Sequence, residues 1–225
     1  MKIVYDDGAI TLCEKPIGVS SEATDESENM PSRLLSYYEE KGEKKTPYVL
    51  HRLDMAVGGL MVFAKTKSAA AKLSAAISEG KLEKEYLLVV AGDASKALGD
   101  EGELFDYLFK DSKKNKSFAV KKQRRGVKEA RLTYRVLGKT EYEGNVLTLL
   151  SATLITGRTH QIRVQFSSRG FPLFGDGKYG SRLKGDIALF SKALRFEHPV
   201  SGEAVAFSLP APDRLPFSLW KENLS

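Results

Sequence analysis

Apolar and polar positions change period several times along the chain, and each change marks an element. Ile3-Val4-Tyr5 and Ile10-Thr11-Leu12-Cys13 read as short strands around an Asp7-Gly8 turn. Ser20 to Asn29 is a polar loop. Pro31 to Lys41 predicts a helix: Pro31 suits its first turn, Leu34, Leu35 and Tyr38 give an apolar side, and Gly42 ends it. Leu60 to Ala64 is a wholly apolar strand. Thr66 then caps a helix over Lys67 to Ser78, with Ala69, Ala70, Leu73, Ala76 and Ile77 on one face and Gly80 as the stop. Glu85 to Val90 is a strand. Ser117 to Lys122 and Glu129 to Leu137 are expected to form a basic hairpin turning at Gly126. Asn145 to Leu154 is a long apolar strand, and Thr159 to Ser168 a helix with Ile162, Phe166 and their neighbours inward. Strands dominate, without regular βαβ alternation. The expected class is α+β: a mixed, mainly antiparallel sheet flanked by helices, and the length allows one large domain or two small ones.

Two stretches about a hundred residues apart set charge directly beside apolar runs. The first is His51-Arg52-Leu53-Asp54, followed by Met55 to Thr66; the second is Gly157-Arg158-Thr159-His160-Gln161-Ile162-Arg163-Val164. A carboxylate at the edge of a core is costly unless paired. Arg52 and Arg163 are both candidates to pair with Asp54. On the residues alone, Asp54 either caps the turn at Gly58-Gly59 or carries chemistry.

Charge adds a partner class. The 225 residues carry a net charge of +6, unevenly spread. Glu22, Asp25, Glu26 and Glu28 form an acidic patch, whereas Lys110, Lys113, Lys114, Lys116, Lys121, Lys122, Arg124, Arg125 and Lys128 stand against one acid, Asp111. That asymmetry fits a polyanion, although a solvated loop would also carry it. The single cysteine, Cys13, excludes an intrachain disulfide and reads as a core residue. No stretch approaches the roughly 18 apolar residues of a membrane helix. The charged N-terminus does not read as a signal peptide, so a cytoplasmic protein is expected. There is no P-loop, no dinucleotide fingerprint and no zinc spacing.

The two stretches, with Gly170-Phe171-Pro172-Leu173-Phe174-Gly175-Asp176-Gly177-Lys178-Tyr179-Gly180, resemble the signature blocks of the RluA-type pseudouridine synthases. The order of Ile3–Val19, Lys84–Gly92, Val127–Leu137 and Ala193–Pro212 around them matches as well, so the likeness covers nearly the whole chain. The resemblance implies the pseudouridine synthase catalytic fold with a central cleft, as a single catalytic domain over 1–225, and isomerisation of uridine in structured RNA (tRNA or rRNA). It implies no cofactor and no metal, and a monomer. Many relatives carry a small RNA-binding domain at the N-terminus. This chain starts almost at the catalytic pattern, so RNA selection is expected to rest on that domain, through the basic segment 110–128 and the loop 19–31.

Residue by residue, the resemblance makes Asp54 the catalytic carboxylate and Arg163 the partner that holds it ionised. It makes Tyr86 the active-site tyrosine, able to stack on an extruded uracil and placed to take a proton. Arg52 matches the arginine that fills the space left by the flipped base. His51, Arg158 and His160 are expected as supports or RNA contacts, and Lys113, Lys114, Lys121, Lys122, Arg124 and Arg125 as phosphate contacts. The Gly175–Gly180 segment reads as a turn supporting the cleft. Relatives commonly read Arg-x-Thr-Ser-Gly after the aspartate; here Met55, Val57 and Gly58 depart from that pattern, and Gln165 stands where relatives often have histidine. Two other readings remain: a silent RNA-binding module on the same scaffold, and a glycosidic hydrolase. The second would require another, general-acid carboxylate.

Overall fold

The computed structural model describes residues 1–23 and 28–223. Residues 24–27, which include Asp25 and Glu26 of the acidic patch, lie outside the described residues. In chain order the strands are β1 (Lys2–Asp6), β2 (Ile10–Lys15), β3 (Tyr48–Val49), β4 (Gly58–Ala64), β5 (Glu83–Ala91), β6 (Glu101–Asp111), β7 (Lys116–Val120), β8 (Val127–Tyr142), β9 (Asn145–Leu154), β10 (Leu189–Glu197) and β11 (Ala204–Ser208). The helices are α1 (Met30–Glu40), α2 (Lys67–Ser78), α3 (Ala94–Leu98) and α4 (Gln161–Ser167), with short 3₁₀ turns over Gly177–Tyr179 and Phe217–Asn223. Antiparallel pairing and few helices make the fold α+β, as the patterning predicts. The chain divides into two compact units, 1–84 with 191–209, and 85–190 with 210–225.

In the first unit β2 pairs with β1 and β4, β3 also pairs with β4, and β10 pairs with β11, all antiparallel. Every residue of β4 is buried, which explains its unbroken apolar run. Gly59 is required where β4 begins. Its φ is +123°, and a Cβ there would lie 2.4 Å from the Ser191 carbonyl oxygen. Both expected helices form. Asn29 caps α1 by accepting from the Ser32 amide at 2.9 Å, and Thr66 caps α2 through the Ala69 amide at 3.1 Å. Losing such a cap costs about 1 kcal/mol. Of the apolar side expected on α1, Leu34 and Tyr38 are buried while Leu35 is exposed.

The second unit orders its strands β5-β9-β8-β6-β7. Here one expectation is overturned: β7 and β8 do not form a hairpin. Both pair antiparallel with β6, a strand the patterning did not reveal. Phe109 of β6 faces Phe118 of β7 on one side and Val127 of β8 on the other. Residues 121–126 therefore cross over β6 instead of closing a two-stranded turn. β6 escapes detection because its apolar residues, Leu104, Phe105, Tyr107, Leu108 and Phe109, do not alternate with polar ones, although only Leu104 and Leu108 are buried. Helix α4 also starts later than expected, and Gln161 to Phe166 are all buried, not one face alone. Its polar members are partnered, except that Gln165 Oε1 has no hydrogen-bond partner among the described residues. Gln161 accepts from Thr156 Oγ1 and the Arg158 amide, and Gln165 donates to Asp106.

Candidate active site

The sequence-identified residues fall into two groups, one in each unit. In the first unit, a tight turn carries Asp54: the Val57 amide donates to the Asp54 carbonyl at 2.9 Å. Asp54 itself is half-buried. Arg52 is exposed, and its guanidinium pairs with Glu22 at 2.8 Å. His51 is buried, and its Nε2 accepts from the Val62 amide of β4 at 3.2 Å. Burial, with the nearby Lys84 charge, pushes its pKa down to about 3. An acceptor Nε2 assigns the proton to Nδ1, which has no hydrogen-bond partner among the described residues. His51 is thus neutral at ordinary pH and holds the strand that follows the turn; it has no proton to exchange near neutrality.

Lys15, at the end of β2, is a member of this group that the pattern did not single out. Its side chain is fully buried, and Nζ donates to the carbonyls of Pro16, Val19 and Met55 at 2.9, 2.8 and 3.3 Å. Burial lowers its pKa to about 8, against the opposing pull of Asp54. The ammonium thus bonds to the carbonyl of the residue after Asp54, and its field acts on the carboxylate. A lysine ending an alternating strand gives no sequence signal for this role.

In the second unit, Tyr86 is buried on β5. Arg163 is also buried, at 4% exposure, and grips Asp176: Nε and one terminal nitrogen donate to the two carboxylate oxygens at 2.6 and 2.8 Å. Asp176 is fully buried. Two parallel bonds fix the guanidinium plane, which a single bond would leave free to turn. The Gly175–Gly180 segment is therefore more than a supporting turn, because it supplies a carboxylate to Arg163. Just before Asp176, Gly175 allows the chain to pass close to the backbone of Asp186; a Cβ there would lie 2.3 Å from the Asp186 carbonyl oxygen. Arg158 donates to the Glu129 carbonyl at 2.8 Å, and His160 Nδ1 lies 3.0 Å from the Tyr179 hydroxyl.

Lys113 and Lys114 lie on the turn between β6 and β7, and Lys121, Lys122, Arg124 and Arg125 on the crossing before β8; all six are exposed. The register brings both segments to the C-terminal half of β6, so the charges gather although the expected hairpin does not exist. Among the described residues, no group of three or more His, Cys, Asp or Glu is placed to hold a metal ion. No helix among them is long and apolar enough to cross a membrane.

The two units thus hold a half-buried carboxylate in one, and a buried tyrosine, a clamped arginine and a basic surface in the other. Comparison with known proteins identifies the family. Residues 9–168 match the family model described as RNA pseudouridylate synthase. An "uncharacterized RNA pseudouridine synthase" of Aquifex aeolicus is 34% identical over 95% of this chain and 70% of its own length. Ribosomal large subunit pseudouridine synthase D of Vibrio cholerae is 32% identical over 95% of this chain and 68% of its own. In fold, the chain is similar to human RNA pseudouridylate synthase domain containing 1, with a TM-score of 0.76 at 23% identity over 96% of this chain and 84% of that one. The chain belongs to the RNA pseudouridine synthase family, in its RluA-type branch. Its reaction is therefore an isomerisation, and its substrate class is RNA.

Proposed function

We propose that this chain acts as one catalytic domain, a cytoplasmic monomer that needs no cofactor and converts specific uridines of structured tRNA or rRNA to pseudouridine. Asp54 is the catalytic carboxylate, Arg163 keeps it ionised and oriented, and Tyr86 stacks on the uracil and is placed to accept the proton from C5. The observation that carries this reading is Asp54 within His51-Arg52-Leu53-Asp54, in a chain whose family isomerises uridine. Lys15 supports it, since its Nζ donates to the carbonyl of Met55, the residue that follows Asp54, and so helps to fix the turn. Arg52 enters the space vacated by the flipped base, exchanging Glu22 for RNA. An exposed pair of this kind is worth only about 0–1 kcal/mol, so the exchange costs little. His51 supports the loop from beneath. Arg158, His160 and the six exposed lysines and arginines around β6 contact the RNA backbone.

The Vibrio cholerae relative is named for the ribosomal large subunit, which makes large-subunit rRNA the first substrate to try. The test is pseudouridine mapping of total RNA with the gene intact, deleted, and restored as wild type or Asp54→Ala. A site lost on deletion, restored by the wild type and not by Asp54→Ala is the expected result. Restoration by Asp54→Ala would refute the role of Asp54. RNA binding without isomerisation of any cellular RNA would favour the silent module. For the basic surface, replacing Lys113, Lys114, Lys121, Lys122, Arg124 and Arg125 by alanine should flatten the salt dependence of RNA binding by about 0.7 to 0.9 for each phosphate no longer neutralised. An unchanged slope would remove those residues from the interface.

A further inference from the structure

We infer that Tyr179 is a positioning residue that ties the basic β6–β7 turn to Arg163, so that RNA held by that turn is felt at the arginine. The inference rests on the proposed role of Arg163 and extends it to regulation of the same site by bound RNA. Tyr179 is buried, and two cations lie over its ring: the Arg163 guanidinium is 5.0 Å from the ring centroid and the Lys116 ammonium 4.9 Å. Its hydroxyl accepts from the Ser117 amide at 2.9 Å and lies 3.0 Å from His160 Nδ1. One side chain therefore touches the arginine, the residue that opens α4, and the first two residues of β7.

The backbone around Tyr179 is bound to the same turn. Lys178 Nζ donates to the Asn115 carbonyl at 3.1 Å, and Lys116 Nζ donates to the Lys178 carbonyl at 2.5 Å. Ser117 Oγ donates to the Thr159 carbonyl at 2.7 Å, joining β7 to the residue before His160. His160 has a left-handed backbone, φ +53°, and its side chain makes no cap bond to α4. Such a conformation is costly for a non-glycine residue. Here the ring that would cap the helix is instead directed to Tyr179. Three residues before Tyr179, Asp176 holds the other edge of Arg163. The segment Asp176–Tyr179 thus grips the arginine with its first residue and the RNA-facing turn with its last two. Displacing Lys113 and Lys114 by bound phosphate would shift Asn115 and Lys116, and with them the ring on which Arg163 rests.

The experiment measures tritium release from [5-³H]uridine-labelled total RNA of a strain deleted for this gene. It compares wild type, Tyr179→Phe, the pair Lys113→Ala/Lys114→Ala, and the three changes combined. Tyr179→Phe keeps the ring and removes both hydroxyl contacts. We expect kcat to fall about tenfold in Tyr179→Phe, with KM and Tm little changed. The lysine pair should lower kcat in the wild type but not in the Tyr179→Phe background, a non-additivity that a purely structural role would not produce. If Tyr179→Phe does not fold, Lys116→Met, which leaves the tyrosine's hydrogen bonds in place, must show the same loss of kcat. Unchanged kcat in the single variants, or kcat losses that simply add, would overturn the inference while wild-type release upholds the reaction. No release by the wild type would instead overturn the reading of the reaction, and the inference with it.

Discussion

Lys15 and Lys65 are both buried in the first unit, both adjoin strands that pair with each other, and their surroundings push them in opposite directions. Lys65 meets two carboxylates, Asp6 at 3.0 Å and Glu43 at 2.7 Å, and lies 5.0 Å from the Tyr38 ring centroid. Burial alone would lower its pKa, but Glu43 and Asp6 outweigh burial and raise it. Lys15 has three carbonyl oxygens in hydrogen-bond contact, and its pKa falls to about 8. Carbonyl dipoles satisfy an ammonium's hydrogens without cancelling its charge, so the desolvation cost stands. The region around Lys65 is an ion-paired clamp between β1, β4 and the segment after α1. The region around Lys15 carries positive charge that is only partly balanced, beside the carboxylate assigned to catalysis.

The sharpest way to break this contrast is Lys65→Met. It leaves Asp6 and Glu43 to share Lys41, and should cost about 3 kcal/mol in urea unfolding at pH 7. A loss below about 1 kcal/mol would mean that the clamp does not stabilise the unit. Asp6→Asn should cost less, about 2 kcal/mol at neutral pH. Burial opposes the ionised form of Asp6, yet Lys41, Thr11 and Lys65 hold its pKa down at about 2. Because that value lies below the unfolded one, the stabilisation is complete above about pH 4. It should vanish as the pH falls to 2, so the gap between Asp6→Asn and wild type must close over that window.

Lys15 should show a pH dependence in the same direction, but in alkali, because its surroundings penalise its charge instead of stabilising it. Its folded pKa lies below the unfolded value of about 10.4, so between pH 8 and 10.4 the unfolded chain binds more protons. Wild-type stability relative to Lys15→Met should therefore rise across that window, read from urea midpoints at several pH values. A flat difference would show that burial does not depress the Lys15 pKa in the folded state. Smallest of all should be the response of Arg52→Ala, whose exposed pairing with Glu22 is expected to change stability by less than about 0.5 kcal/mol. A larger loss would make Arg52 a structural residue instead of one available to RNA.

Legibility in the sequence followed the range of the interaction. Helix α2 was readable from Thr66 to its stop at Gly80 because cap, periodicity and stop lie within fifteen residues. Strand β9 was readable because its apolar run is long and bounded by turn residues. The basic hairpin was misread because adjacency in sequence stands in for pairing only when the two strands are true neighbours. β6, whose apolar residues do not alternate with polar ones, inserts between β7 and β8. The Asp176–Arg163 grip was invisible because it joins a glycine-rich turn to a helix thirteen residues away, and neither motif specifies the distance between them.

What the chain determined by itself was composition and short-range order: an α+β protein with a basic segment, and two charged motifs placed beside apolar runs. Those motifs, in their order, were enough to assign the family. Tertiary structure alone decided which charges are neutralised. It gave Lys65 two carboxylates and Lys15 three carbonyls, placed Asp176 on Arg163, and brought Tyr179 into contact with that arginine and with Lys116. Local patterning reports how often a side chain turns toward the core. The free energy of a buried charge depends on which distant group meets it there, and packing makes that choice.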